Sequence, residues 1–202
     1  MQSFLAELKK QRWDDHRYYH HCRINQTLHL ISALSFLAAY VTVFTSPAAA
    51  ALIGWLVAMV TRQVGHFFFE PKGYDTVNQA THEHKEQIKV GYNLRRKVVL
   101  LSLWALSPAV LWLNPTLFGV FPKSGHPDFL RHVCELWLAL GFGALLFRTL
   151  QLFYQQGIVT GLAWFTKILT DPFHDIKLYC RAPLYLLRGE LRDPMDDVAH
   201  SA

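Results

Sequence analysis

The sequence predicts an all-α, polytopic membrane protein with about four transmembrane helices, and three observations predict it. The 202 residues are 51% hydrophobic but only 17% charged, against about 25% charged in ordinary soluble domains. The charges are segregated: Ile24 to Thr61 and Val98 to Pro122 contain no Asp, Glu, Lys or Arg. A spanning helix needs roughly 20 mostly apolar residues, and these runs supply that length. The mean hydropathy of +0.13 then averages apolar spans with polar connections. This composition excludes a disordered or coiled-coil chain.

Taken in order, the first charge-free run is long enough for two spans, near 26–45 and 48–68, with Thr45-Ser46-Pro47 as the break. The third span is predicted near 98–118, with Pro108 inside it, which membrane helices tolerate better than soluble ones. The fourth is predicted near 133–153, with Glu135 and Arg148 near its ends, where long side chains reach the interface. Gly141 and Gly143 in this span read as close-packing positions. Residues 157–170 are amphipathic and shorter, which reads as an interfacial helix. Asp171-Pro172-Phe173-His174-Asp175 reads as a helix-ending turn, or else as a segment that approaches the cytoplasmic side of the spans. Residues 1–202 thus form a single membrane domain with a His-rich N-terminus, a polar 69–97 loop and an interfacial or cytoplasmic segment 155–202.

Orientation follows from the basic residues, which concentrate on cytoplasmic loops. Of the 20 Lys and Arg, all but Lys123 and Arg131 flank the N-terminus, the 62–97 region or the 148–192 region. That places both termini in the cytoplasm, with contacts to anionic membrane lipid. The membrane would be the inner one of a bacterium or the endoplasmic reticulum of a eukaryote. The charged N-terminus predicts no cleaved signal peptide. Without an aromatic-basic module, no nucleic-acid partner is predicted. Cys22, Cys134 and Cys180 form no CxxC pair, which argues against a thiolate zinc site or a disulfide framework.

Histidine carries the chemistry. Nine of the eleven His fall on the predicted cytoplasmic side, all but His126 and His132. His21, Asn25 and His29 recur every fourth residue, which stacks them on one helix face. His66 sits near the cytoplasmic end of the antiparallel second span, at a depth similar to His29. Gln63 and Glu70 share its face, and the loop adds His82 and His84 in His82-Glu83-His84-Lys85-Glu86. A polar cluster at that depth is costly unless paired or metal-bound. Imidazoles and a carboxylate without thiolates suit Fe(II) or Zn. Neutral His is the binding form, its second nitrogen held by a carboxylate or amide; Asn25, Gln63 and Glu70 are the candidates for that supporting catalytic part. His16, His174 and His200 read as interfacial hydrogen-bonders.

At these positions the chain resembles a known family. Tyr19-His20-His21-Cys22-Arg23-Ile24-Asn25-Gln26-Thr27-Leu28-His29 looks like its pattern of an aromatic, a His, then Asn and His at four-residue steps. Arg62-Gln63-Val64-Gly65-His66-Phe67-Phe68-Phe69-Glu70 looks like its second pattern, Q-x-x-G-H-x-x-x-E after a span. The family is the fungal and bacterial 2-hydroxy-fatty-acid dioxygenases of fatty-acid α-oxidation, membrane proteins that use Fe(II). Cys22-Arg23 stands where the family has Asn-Pro, and residues 98–202 have no counterpart in the resemblance.

The resemblance implies conversion of a 2-hydroxy long-chain fatty acid and O2 to the acid one carbon shorter, with loss of C1. Such a substrate chelates iron through its carboxylate and hydroxyl, and O2 needs a further position. Three or four sites then remain for protein ligands: His21, His29 and His66, with His82 as the fourth and His20 and His84 in reserve. Arg62, or a cation from Arg95-Arg96-Lys97, is a candidate partner for the carboxylate. Phe67-Phe68-Phe69 reads as lipid-facing or core packing, or as the wall of a tail tunnel. Two other classes stay open: a di-iron fatty-acid hydroxylase or desaturase, and a lipid- or haem-binding protein with His29 and His66 as axial ligands.

Overall fold

The computed structural model of the chain describes residues 3–122 and 128–195; Lys123, His126 and His200 lie outside them. The described residues form eight helices and no named strand: α1 (Phe4–Tyr19), α2 (Arg23–Thr42), α3 (Pro47–Phe69), α4 (His82–Ile88), α5 (Leu94–Leu113), α6 (Phe129–Gln156), α7 (Ile158–Tyr179) and α8 (Ala182–Leu187). Helices α2, α3, α5 and α6 are each long and apolar enough to cross a membrane. The protein is an all-α polytopic membrane protein.

Local chemistry sets the ends of these helices. Ser3 caps α1 through Ala6 N at 3.2 Å, and Asn93 caps α5 through Arg96 N at 3.2 Å, each satisfying an amide that the first turn leaves free. Pro47 opens α3 behind Ser46, where its missing N–H costs nothing. Gly157 joins α6 to α7 at φ 97°, a left-handed conformation that a side chain would strain. The observed spans start three or four residues before the expected ones in α2, α5 and α6, because helical hydrogen bonding continues past the apolar run that the sequence marks.

Packing joins the spans through indole rings. Trp55 of α3 stacks on Trp104 of α5 at 5.4 Å and donates Nε1–H to the Trp137 carbonyl of α6 at 2.8 Å. Trp137 in turn donates to Ser107 Oγ at 2.9 Å. Gly141 lets α6 pass against Trp55, whereas Gly143 faces open space and is no packing position. The outward faces are apolar: Leu103, Leu106, Leu113, Phe147 and Leu150 are all exposed, the surface a bilayer covers.

Helix α7 corrects two expectations. It continues through Asp171-Pro172-Phe173-His174-Asp175 to Tyr179, so no turn ends it there. Its buried face is the polar one, carrying Lys167, Asp171 and Asp175, while Ile158, Leu162, Leu169 and Phe173 are exposed. It packs on α1, α2 and α6, so its charges point into the protein. The C-terminal stretch returns to the same end: Arg23 N donates to Leu191 O at 3.0 Å and Asp193 N to His21 O at 2.8 Å. The described C-terminal end of the chain therefore meets the start of α2.

Candidate metal centre

The site is built on a break between α1 and α2. His20 (φ −117°, ψ 38°) ends α1 and Cys22 (φ −91°, ψ 126°) is extended. Asn25 Nδ2 donates to Tyr19 O at 2.9 Å and Gln26 Nε2 to His20 O at 2.8 Å, tying off the carbonyls that the break frees. The kink turns His20 inward, where it is 1% exposed. His21 is turned away: its Nε2 donates to the Arg17 carbonyl and lies 3.5 Å from Asp75 Oδ2.

His20, His29 and His66 consequently meet. All three are buried, and one ligand atom from each lies within 4.8 Å of the others. His20 Nε2 is 3.2 Å from His29 Nε2, and the His29 and His66 rings stand 4.8 Å apart, edge to face. The approach of α2 to α3 depends on Gly65, because a Cβ there would overlap the Asn25 carboxamide and lie 3.4 Å from His29 Cδ2. Gly65 opens a wide, π-type turn (Gly65–Phe69) that also carries His66, a distortion that recurs at functional sites.

The outer nitrogens are held from behind. His20 Nδ1 donates to Asp15 O at 3.0 Å, and His66 Nδ1 donates to Glu70 Oε1 at 3.2 Å. His29 Nδ1 makes no hydrogen bond and lies 3.7 Å from Asp175 Oδ2. With Nδ1 protonated, each imidazole turns an Nε2 lone pair inward, the tautomer that binds metals. Burial, with His29 adding to it, pushes the His20 pKa well below the ordinary value, so this ring is neutral at physiological pH.

That arrangement fits a divalent cation. Two neutral imidazoles facing at 3.2 Å share one bridging proton at most. If His29 supplies it from Nε2, its bare Nδ1 lone pair faces the Asp175 carboxylate; if His20 does, its bare Nδ1 faces the Asp15 carbonyl; if neither does, two Nε2 lone pairs oppose each other. A cation between the rings removes the conflict in every case, and three imidazoles without thiolate suit Fe(II) or Zn.

Other expected residues lie elsewhere. His82 and His84 stand on α4 outside the cluster, and the buried residue of that helix is Lys85, 3.6 Å from Asp75. Of the three supporting residues, Glu70 holds an imidazole. Asn25 is spent on the backbone, and Gln63 Nε2 faces Met59 Sδ at 3.2 Å. Arg62 is engaged by Asp175 at 3.0 Å and Asp171 at 3.6 Å. Asp15 and Tyr179 join the site unannounced by any motif, and Asp175 joins it from the segment expected to turn or to approach from the cytoplasm. The Tyr179 ring lies 5.5 Å from that of His20, and burial, reinforced by Asp175, raises its phenol pKa well above the usual value. Burial alone would raise the Asp15 carboxyl, but Lys167 at 3.2 Å, with His20 and Arg62 further off, holds it well below the usual range.

A cavity of about 250 Å³ adjoins the cluster. At the histidine end its wall includes Tyr19, Arg62, His66, Lys89 and Lys97; further along α2, α3 and α5 it is made by Phe36, Tyr40, Trp55, Met59 and Leu101. No protein-family model matches the chain, and no curated protein or solved structure does either.

Proposed function

We propose that this protein is an Fe(II)-dependent dioxygenase that shortens 2-hydroxy fatty acids by one carbon, with its site on the cytoplasmic side of the membrane. The observation that carries the reading is the buried His20–His29–His66 trio at the polar end of a cavity that turns apolar along the spans. These three side chains would hold the iron. Bound Fe(II) supplies open positions for a chelating 2-hydroxy acid and for O2, and the redox chemistry for breaking C1–C2. Electrons balance without another reductant: oxidising C1 to CO2 and C2 to a carboxyl releases as many as O2 takes up.

The chain's own residues prepare the site. Glu70 and the Asp15 carbonyl fix the tautomers of His66 and His20, and Asp175 stands behind His29. Lys89 lies 3.1 Å from Glu70 Oε1, the same oxygen that faces His66. Phe36, Tyr40, Trp55 and Leu101 offer apolar wall to an alkyl tail.

The test begins with metal analysis of the detergent-purified protein. One iron per chain without a Soret band supports the reading; two irons point to a di-iron oxygenase and a Soret band to haem. Anaerobic, Fe(II)-loaded protein given 2-hydroxypalmitate and O2 should yield a C15 acid. His66→Ala should lose both bound iron and turnover, and full retention of both sinks the proposal.

A further inference from the structure

The cations that line the cavity are not equivalent. Arg62 is neutralised by Asp171 and Asp175, and Lys167 by Asp15 at 3.2 Å and Asp171 at 2.7 Å. Lys89 is held by Glu70 at 3.1 Å and Glu86 at 3.3 Å, with its ammonium 3.7 Å from the centre of the Tyr19 ring. Lys97 lines the same cavity, is half-buried, and makes no ion pair or side-chain hydrogen bond among the described residues. Neither Arg95 nor Arg96, its neighbours in the basic triplet, reaches the cavity wall.

Depth gives the unpaired charge a direction. Lys97 sits in the first turns of α5, and Leu100 and Leu101, about one turn further into the span, line the cavity with it. A ligand laid along this wall meets an ammonium at the level of His66 and aliphatic surface beyond it. An ammonium withdrawn from water without a counter-ion is costly, and an anion delivered to it relieves that cost.

We propose that Lys97 is the anchor for the anionic head of the cavity's ligand, a single-chain amphiphile, and sets its preference for charged over neutral heads. This rests on the cavity being the substrate site. Of the two carboxylate partners that the sequence offers, Arg62, whose charge is already used, and the triplet Arg95-Arg96-Lys97, it selects Lys97 of the triplet. The same chemistry is offered by a fatty-acid carboxylate and by a phosphate head group.

Iron-free wild type, Lys97→Met and Lys97→Arg in neutral phosphatidylcholine nanodiscs are titrated calorimetrically with 2-hydroxypalmitate, hexadecyl phosphate and 1,2-hexadecanediol. The diol keeps the tail and the 2-hydroxyl but lacks the charge. Lys97→Met should weaken the acid by roughly 10- to 100-fold, the size of one charge-assisted hydrogen bond, and leave the diol unchanged; Lys97→Arg should restore most of the loss. Equal losses for acid and diol, or none for either, overturn the proposal. Lys97-dependent binding of the phosphate but not of the acid keeps the anion anchor and identifies a lipid head as its source. Lys97-dependent binding of the acid with no turnover in the iron-loaded protein keeps the anchor and rejects the dioxygenase reading. Turnover by Lys97→Met with unchanged KM for 2-hydroxypalmitate rejects the anchor and keeps the dioxygenase.

Discussion

Gly65→Ala is the most economical probe of the centre, because it adds one methyl and removes no ligand. Its Cβ would overlap Asn25 Oδ1, with Asn25 Cγ at 3.3 Å and His29 Cδ2 at 3.4 Å. Restoring ordinary contact distances requires α2 and α3 to separate by about 1 Å. Asn25 cannot simply rotate away, since its Nδ2 ties off the break at Tyr19 O that aims His20 inward. The methyl therefore disturbs all three imidazoles. Overpacking of this kind costs about 1–3 kcal/mol, and a ligand set moved by about 1 Å should lose 10- to 100-fold in metal affinity, as when the supports of a metal ligand are removed. The assay is anaerobic Fe(II) or Co(II) titration of the variant in detergent, beside its thermal unfolding. Gly143→Ala is the control: a Cβ there meets nothing within 4 Å, so it should keep the metal and gain about 0.5–1 kcal/mol from lower chain entropy. If Gly65→Ala binds metal as the wild type does, the helix approach described here does not set the ligand geometry.

The adjacent histidines separate a continuous helix face from the observed kink. His20→Ala should abolish metal binding, whereas His21→Ala should retain it and lose about 1 kcal/mol through its Arg17 and Asp75 contacts; the reverse pattern would restore the simple four-residue spacing. Asp75 gives a pH-dependent test: burial would raise its pKa, but hydrogen bonds from Asn78, with His21 and Lys85 nearby, hold it below the usual value. Its stabilisation is then complete above about pH 4, the unfolded carboxyl value, and is lost as the pH falls through the lower folded value. Asp75→Asn should cost about 2 kcal/mol at pH 7, since Lys85 is left buried without its counter-charge, and the gap in unfolding free energy should narrow at pH 3. A gap that widens on acidification contradicts this assignment.

The spans were legible because a bilayer imposes one rule, the absence of charge over some 20 residues, and Ile24–Thr61 and Val98–Pro122 obey it. His66 and Glu70 were legible as a pair because His66 lies in the last turn of a helix and Glu70 follows directly at its end. His20 was not. Four-residue periodicity assumes that His21, Asn25 and His29 share a helix, but α2 begins at Arg23, and no proline or glycine between Tyr19 and Arg23 marks the break. The side chains that tie it off, Asn25 and Gln26, lie beyond the break, and the spacing assigned Asn25 to the imidazoles rather than to the backbone. Asp175 was legible only as part of a segment that could approach the site, because its neighbour His29 lies 146 residues away along the chain.

Helix α7 exposes a more general ambiguity. An amphipathic pattern states that two faces differ and does not state which one is covered. In water the apolar face turns inward; beside lipid the preference reverses, and Ile158, Leu162 and Phe173 face outward while Lys167, Asp171 and Asp175 are enclosed. Enclosure is tolerable because the charges cancel locally. Arg12, Arg62 and Lys167 meet Asp15, Asp171 and Asp175 in one connected set of ion pairs, and opposite charges brought together out of water offset part of their desolvation. The same set joins α1, α3 and α7 behind the histidines, so the helix that resembles a surface anchor in the sequence supplies the back wall of the site. A neutral network there has a consequence for binding: it leaves the unpaired ammonium of Lys97 to draw an anionic head toward the trio.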